Sequence, residues 1–285
     1  MHSQQVWHDL VVWYLFLAGT GAGVYLIALG NKLWRRDDSL QNIGYFWGPA
    51  FVAVGTVFLL FDLGRPLAAP LAVLRPLSSM ISIGTIILSL FLLLGLIQIV
   101  QNLYFKKSTP RCLDWVGFGL AIGTATYTGL LLGVVKAIPF WNNPLFLPLL
   151  FLASALSSGV GFILLILVAT KKIRKEQIAA ALPAMVKLDI GLILCEIVLL
   201  SVMLCLAKQA GGAAGSSVDI LLQGFLALPF WGLVMGVGLL LPLFIETFMR
   251  SHQEKVLLVC ALALLVGGIA LRYSIVLAGV FVPLS

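Results

Sequence analysis

WYLFLAGTGAGVYL, running from Trp13 to Leu26, sets three glycines, Gly19, Gly21 and Gly23, within five positions of an otherwise apolar stretch. Glycine-rich turns let a backbone approach a pyrophosphate, but that use needs a preceding strand and a helix N-terminus. Neither fits here, because the apolar run extends from Leu10 to Leu29, long enough to cross a bilayer unaided. At about 100° per residue, Gly19 and Gly23 share one face, a GxxxG surface against which another helix packs closely. Gly21 lies off that face, about 160° from either. The stretch reads as a smooth, close-packed membrane helix.

The remaining sequence gives the same signal. Its 285 residues are 61% hydrophobic and 10% charged, with a mean hydropathy of +1.10. Soluble domains are about 45–50% apolar and about 25% charged, so no soluble interior could hide this surface. The start, MHSQQVWHDL, has no Lys or Arg before the first apolar run, which argues for a retained first helix over a signal peptide. Runs of about 20 apolar residues fall at residues 10–30, 44–62, 79–101, 113–135, 145–170, 185–207, 221–248 and 256–281. Backbone groups in lipid must bond internally, so these are helices. The expected fold is all-α: one integral membrane domain of eight spans, arranged as two four-helix bundles.

Basic residues orient it. Twelve lie in the turns after odd-numbered spans: Lys32, Arg35, Arg36; Lys106, Lys107, Arg111; Lys171, Lys172, Arg174, Lys175; and Arg250, Lys255. The other side holds four, Arg65, Arg75, Lys136 and Lys208. The positive-inside rule then puts both termini outside the cytoplasm. The net charge of +7 reflects this topology and anionic membrane lipid, not nucleic acid. The outward loops, Asp62–Met80 and Lys136–Pro144, are rich in Pro and suited to docking a partner or roofing a site.

Cys112, Cys195, Cys205 and Cys260 show no paired spacing, and read as small buried hydrophobes. The histidines, His2, His8 and His252, lie at or beyond helix ends. A membrane haem takes axial ligands inside the bundle, so neither a haem nor an iron–sulfur cluster is expected in this protein, and no metal site.

Ionisable groups inside spans are functional candidates by default. Toward the outward side lie His8, Asp9 and Tyr14 on the first span, Asp62 and Arg65 at the end of the second, Tyr127 on the fourth, and Arg272 with Tyr273 on the eighth. That set could hold a quinol, whose two oxygens need hydrogen-bond partners and whose protons need a base such as His8 or Asp9. Each also has a plainer reading: His8 as an interfacial residue, Tyr14 as an aromatic-belt anchor, Asp62 and Arg65 as an ion pair within a turn. Arg272 must find an anionic or carbonyl partner, for which Asp62 and Glu196 are available. Further in lie Asp114, Lys187, Asp189, Glu196 and Glu246, which suit either a proton path or unrelated interfacial charges. Asp189 and Glu196 are seven apart, two turns along one face.

Taken in order, several motifs resemble the NrfD/polysulfide-reductase membrane-subunit family. They are the Trp13–Leu26 stretch, FDLGRP (Phe61–Pro66), LSSMISIG (Leu77–Gly84), TYTGLLLG (Thr126–Gly133), SALSSG (Ser154–Gly159) and GGIALRYSIVLAG (Gly267–Gly279). The resemblance implies a haem-free anchor that binds menaquinone or ubiquinone on the outward side. It also implies partners: a ferredoxin-like iron–sulfur subunit with four clusters and an extracytoplasmic catalytic subunit, often a molybdopterin enzyme. Such a subunit sits in the cytoplasmic membrane of a prokaryote and oxidises quinol as part of a complex, not as a stand-alone enzyme. Carried onto these residues, the family's quinone site falls on His8, Tyr14 and Tyr127, with Asp62 and Arg65 close by; Arg272, for its depth, is a further candidate binding group. Two other functions stay open. Gly- and Pro-broken spans around midplane Glu196 would suit a secondary transporter, and a purely structural anchor would need no site.

Overall fold

The computed structural model describes residues 9–62, 80–105, 109–171, 176–249 and 253–282. Its helices are α1 (Asp9–Arg35), α2 (Gln41–Asp62), α3 (Met80–Ile99, extended by a π-turn at Val100–Tyr104), α4 (Arg111–Gly133), α5 (Phe146–Ala169), α6 (Glu176–Ala210), the short α7 (Gly212–Leu222), α8 and α9 (Glu254–Leu277). Helix α8 runs through Pro229–Leu240, Leu241–Phe244 and Ile245–Met249, the first and last wound as π-helix. Eight of these helices are long and apolar enough to cross a membrane.

The eight segments read from the sequence are all present, and the seventh starts later than its hydropathy implies. The chain breaks at Gly211 and Gly212, both at positive φ (66° and 53°), and winds the separate helix α7. A second break follows, in which the Gln223 and Gly224 amides both bond the Asp219 carbonyl. The span restarts at Pro229, whose missing N–H is no loss in a first turn.

Helices α1 to α4 close one four-helix ring, with α1 packed on α2 and α4 and α3 bridging those two; α5, α6, α8 and α9 close the other. Helices α1 and α5 join the rings and are the most enclosed spans, while α6 is the least. The glycines explain the join. A methyl group on Gly23 would overlap the Ala155 carbonyl of α5, and one on Gly159 would overlap the Gly23 backbone. Gly21 faces the other way, where a methyl would stand 2.6 Å from the Gly48 carbonyl oxygen of α2. One helix thus carries two contact faces, one into each ring. In lipid, where no hydrophobic drive brings helices together, this close backbone approach supplies the packing.

Candidate functional site

Tyr14 and Tyr127 meet in the first ring, toward the end away from the basic turns. Both are buried (0% and 2% exposed) and lie within electrostatic reach of one another. The Tyr127 ring is seated over Gly84 of α3, a position any side chain would fill. The Tyr14 hydroxyl has no hydrogen-bond partner among the described residues. Asp9 stands exposed at the first turn of α1, five residues above Tyr14, or about 7.5 Å along the axis. Asp62 ends α2. His8 and Arg65 lie outside the described residues.

Arg272 of α9 is fully buried where the rings meet. Its Nε donates to the Leu15 carbonyl at 3.0 Å, and its Nη1 to the Gly268 carbonyl at 2.8 Å and to Ser154 Oγ at 3.2 Å. The rings of Phe151 and Phe16 flank it at 5.3 and 5.9 Å. Of the two anionic partners open to it in sequence, Glu196 is in electrostatic reach. The peptide carbonyls supply the rest, and Leu15 ties Arg272 to the residue following Tyr14.

Beyond Arg272, three carboxyls gather in the second ring. Glu196 and Asp189 of α6 and Glu246 of α8 are buried, and Asp189 interacts electrostatically with both glutamates. Several of their oxygens have no hydrogen-bond partner among the described residues: both of Asp189, Oε1 of Glu196 and Oε2 of Glu246. The Cys260 thiol donates to Glu246 Oε1 at 3.4 Å. A cavity of about 10 Å³, lined by Ser154, Ser157, Ser158 and Glu196, adjoins the Arg272 end. That volume holds about one water. At the other end, a cavity of about 420 Å³ lined by Lys187, Glu246 and Cys260 opens beside the carboxyls.

Asp114 is not part of this group. It lies in the first ring near the basic turns, 0% exposed, with Lys32 Nζ 2.8 Å from its Oδ2. Its Oδ1 accepts from Tyr45 at 2.6 Å, Thr109 at 2.9 Å and Gln98 at 3.2 Å. Lys32 also donates to Tyr45 and Thr109, and Tyr25 donates to Gln98 Oε1 at 2.7 Å. Residues from α1, α2, α3 and α4 are braced in one network. In sequence Lys32 registers only as a topology charge, and Tyr25, Tyr45 and Gln98 carry no signal of their own, since their partners are 13 to 73 positions away. Ser154 stands in the SALSSG motif, but its contact with Arg272 spans 118 positions.

The protein is 33% identical to the C subunit of polysulfide reductase from Wolinella succinogenes, over 98% of its own length and 95% of that relative's. It is 30% identical to protein NrfD of Escherichia coli K12 (96% and 95% covered), and 27% identical to the NrfD homolog of Haemophilus influenzae (96% and 94%). The family model described as polysulphide reductase, NrfD, matches residues 1–283. With one family model spanning nearly every residue, and relatives matched end to end, the chain belongs to the polysulphide reductase NrfD family.

Proposed function

We propose that this protein is the quinol-oxidising membrane anchor of a respiratory reductase, taking menaquinol or ubiquinol at the Tyr14–Tyr127 end of the first ring. The observation that carries the reading is the Tyr14 hydroxyl, buried at membrane depth with no partner among the described residues. An unmet buried hydroxyl costs about 1–3 kcal/mol, and a quinol oxygen would meet it. Tyr14 and Tyr127 hold the two ring oxygens, and Gly84 fixes the Tyr127 ring by leaving room for it. Asp9, a little over one turn above Tyr14, and His8, which precedes it in the sequence, accept the protons released as two electrons leave. By the family resemblance, Asp62, which ends α2, and Arg65 belong to the same site.

The electrons pass to a four-cluster iron–sulfur subunit docked on the neighbouring loops, and from it to an extracytoplasmic catalytic subunit of the molybdopterin kind. The name of the Wolinella relative, one polypeptide of a reductase, supports a complex of this sort. The bias of basic residues supports a bacterial cytoplasmic membrane with both termini outward. Glu246, Asp189 and Glu196 form a proton path from the 420 Å³ cavity toward Arg272. Asp114, the fourth acid of the inward half, braces the first ring and stands apart from that path.

The row of carboxyls with its open cavity would also serve a proton-coupled transporter. Purification decides between them. The anchor reading expects bound quinone and an iron–sulfur partner to accompany the protein, and expects Tyr127→Phe to impair quinol-dependent turnover. A preparation without quinone or iron–sulfur partner, or turnover untouched by Tyr127→Phe, would overturn it.

A further inference from the structure

A second concavity has a different character. Helices α4 and α6 stand apart on one side of the molecule, and α1 and α5 form the floor of the cleft between them, about 420 Å³ in volume. Its deep part is wholly apolar, with Leu26 and Gly30 of α1, Leu156 of α5 and Ala184 of α6. Its mouth is polar, formed by Asn31 and Arg35 on α1. The α1 residues along the cleft, Leu26 to Arg35, cover about 14 Å of helix axis. That is about half of a hydrocarbon core of about 30 Å, or one leaflet.

The mouth sits at headgroup height on the basic side. Trp34, Trp115 and Phe118 form an edge-to-face cluster there, with ring centroids 5.3, 5.0 and 6.1 Å apart, and both indoles are half exposed. Such rings mark the membrane–water boundary. Arg35 is exposed, and one of its nitrogens reaches across the cleft to the Ala180 carbonyl of α6 at 3.4 Å. Asp37 lies in electrostatic reach of Arg35, and its carboxylate accepts the Ser39 amide at 2.9 Å. A single guanidinium over an apolar slot of one-leaflet depth matches a phosphate carried on an acyl tail.

We propose that the cleft between α4 and α6 binds an anionic phospholipid, with one acyl tail along Gly30 and Leu156 and its phosphate on Arg35. A lipid seated there spans the seam between the two rings at the end where α4 and α6 do not close it. The site lies at the opposite end of the molecule from Tyr14, so it stands whether or not quinol is oxidised there.

The test reconstitutes the full-length protein, with its co-purifying subunits, into nanodiscs of phosphatidylcholine alone or with added phosphatidylglycerol, and reads the melting temperature. Ligand that binds only the folded state stabilises it by RT ln(1 + L/Kd), with L the free ligand concentration. Phosphatidylglycerol should raise the wild-type melting temperature by several degrees. Arg35→Gln should lose most of that rise, and Leu156→Trp, which fills the slot while keeping the charge, should lose it too. Native mass spectrometry should find a retained anionic phospholipid on the wild type and not on either variant. An equal rise in all three proteins, no rise in the wild type, or retention of a quinone in place of the phospholipid would overturn the proposal.

Discussion

Gly19 and Arg272 are shaped to one another across 253 positions of sequence: a methyl group on Gly19 would stand 2.7 Å from the Nη2 atom of Arg272. The missing side chain on α1 is the space the guanidinium occupies. From that space Arg272 reaches the Leu15 carbonyl of the first ring and Ser154 of the second. The glycine-rich stretch therefore packs two helices together and also houses a buried charge.

Removing that charge should be more harmful than its single formal unit suggests. Arg272→Leu takes the donor from the Leu15 and Gly268 carbonyls and the Ser154 hydroxyl and removes the cation within electrostatic reach of Glu196, and each buried acceptor left unmet costs about 1–3 kcal/mol. Arg272→Leu with Glu196→Gln should recover the part of the loss that comes from Glu196. Thermal unfolding of the two single variants and the double variant in one detergent checks the coupling.

The packing of individual glycines predicts opposite outcomes for one kind of substitution. Gly23→Ala drives a methyl into the Ala155 carbonyl, a backbone atom that cannot swing away, and should destabilise by about 1–3 kcal/mol. Gly119→Ala on α4 meets nothing within 4 Å and should stabilise by up to about 1 kcal/mol through helix propensity. Melting temperatures of the two variants should move in opposite directions.

At the proposed quinol site, Tyr14→Phe and Tyr127→Phe each delete one hydroxyl and keep the ring. A lost hydrogen bond to substrate of about 1–3 kcal/mol corresponds to roughly 5- to 150-fold in kcat/KM. Slower steady-state oxidation of a soluble quinol analogue, with melting temperatures unchanged, is the expected pattern.

Asp189→Asn removes a carboxyl whose two oxygens have no hydrogen-bond partner among the described residues, so it should not lower stability by more than about 1 kcal/mol, whereas Glu196→Gln also withdraws the anion within reach of Arg272 and should cost more. If these groups carry protons, both variants should slow proton uptake during turnover in proteoliposomes. Normal uptake in both, followed with a trapped pH dye, would remove them from the path.

The Lys32–Asp114 brace yields a structural prediction. Asp114→Asn keeps the shape but leaves the part-buried Lys32 ammonium without its carboxylate, and should destabilise by about 1–3 kcal/mol. Quinol oxidation measured below the new melting point should stay near wild type, because the network lies at the far end of the first ring from Tyr14.

The fold was legible because lipid imposes a strict local rule. Every backbone group must be bonded within its own helix, so a run such as Leu10–Leu29 declares itself without reference to the rest of the protein. Hydropathy alone began the seventh span at residue 221, across the break at Gln223 and Gly224, and left the short helix Gly212–Leu222 unread, since apolar residues continue on both sides of that turn. The Gly19–Gly23 face was legible for the same local reason: helix periodicity is fixed.

The candidate site was legible only in part. Single residues such as Tyr14, Tyr127, Arg272 and Glu196 stood out because polar groups are costly at membrane depth. Their grouping did not follow from that cost. Asp114 and Asp189 look alike in sequence, each an acid on the inward half, yet one is tied to Lys32 and the other is gathered with two more carboxyls.

By itself, the sequence determined that this protein is a bundle of eight membrane helices, which of its faces carry glycine, and to which family it is similar. Only the tertiary structure decided that Arg272 joins the two rings beside Tyr14, that three acids share one ring while the fourth braces the other, and that a basic-mouthed cleft separates α4 from α6. The reason is physical. Helix formation in lipid depends on residues within a turn or two of each other, whereas charge pairing and cavity shape depend on which distant faces the packing brings together.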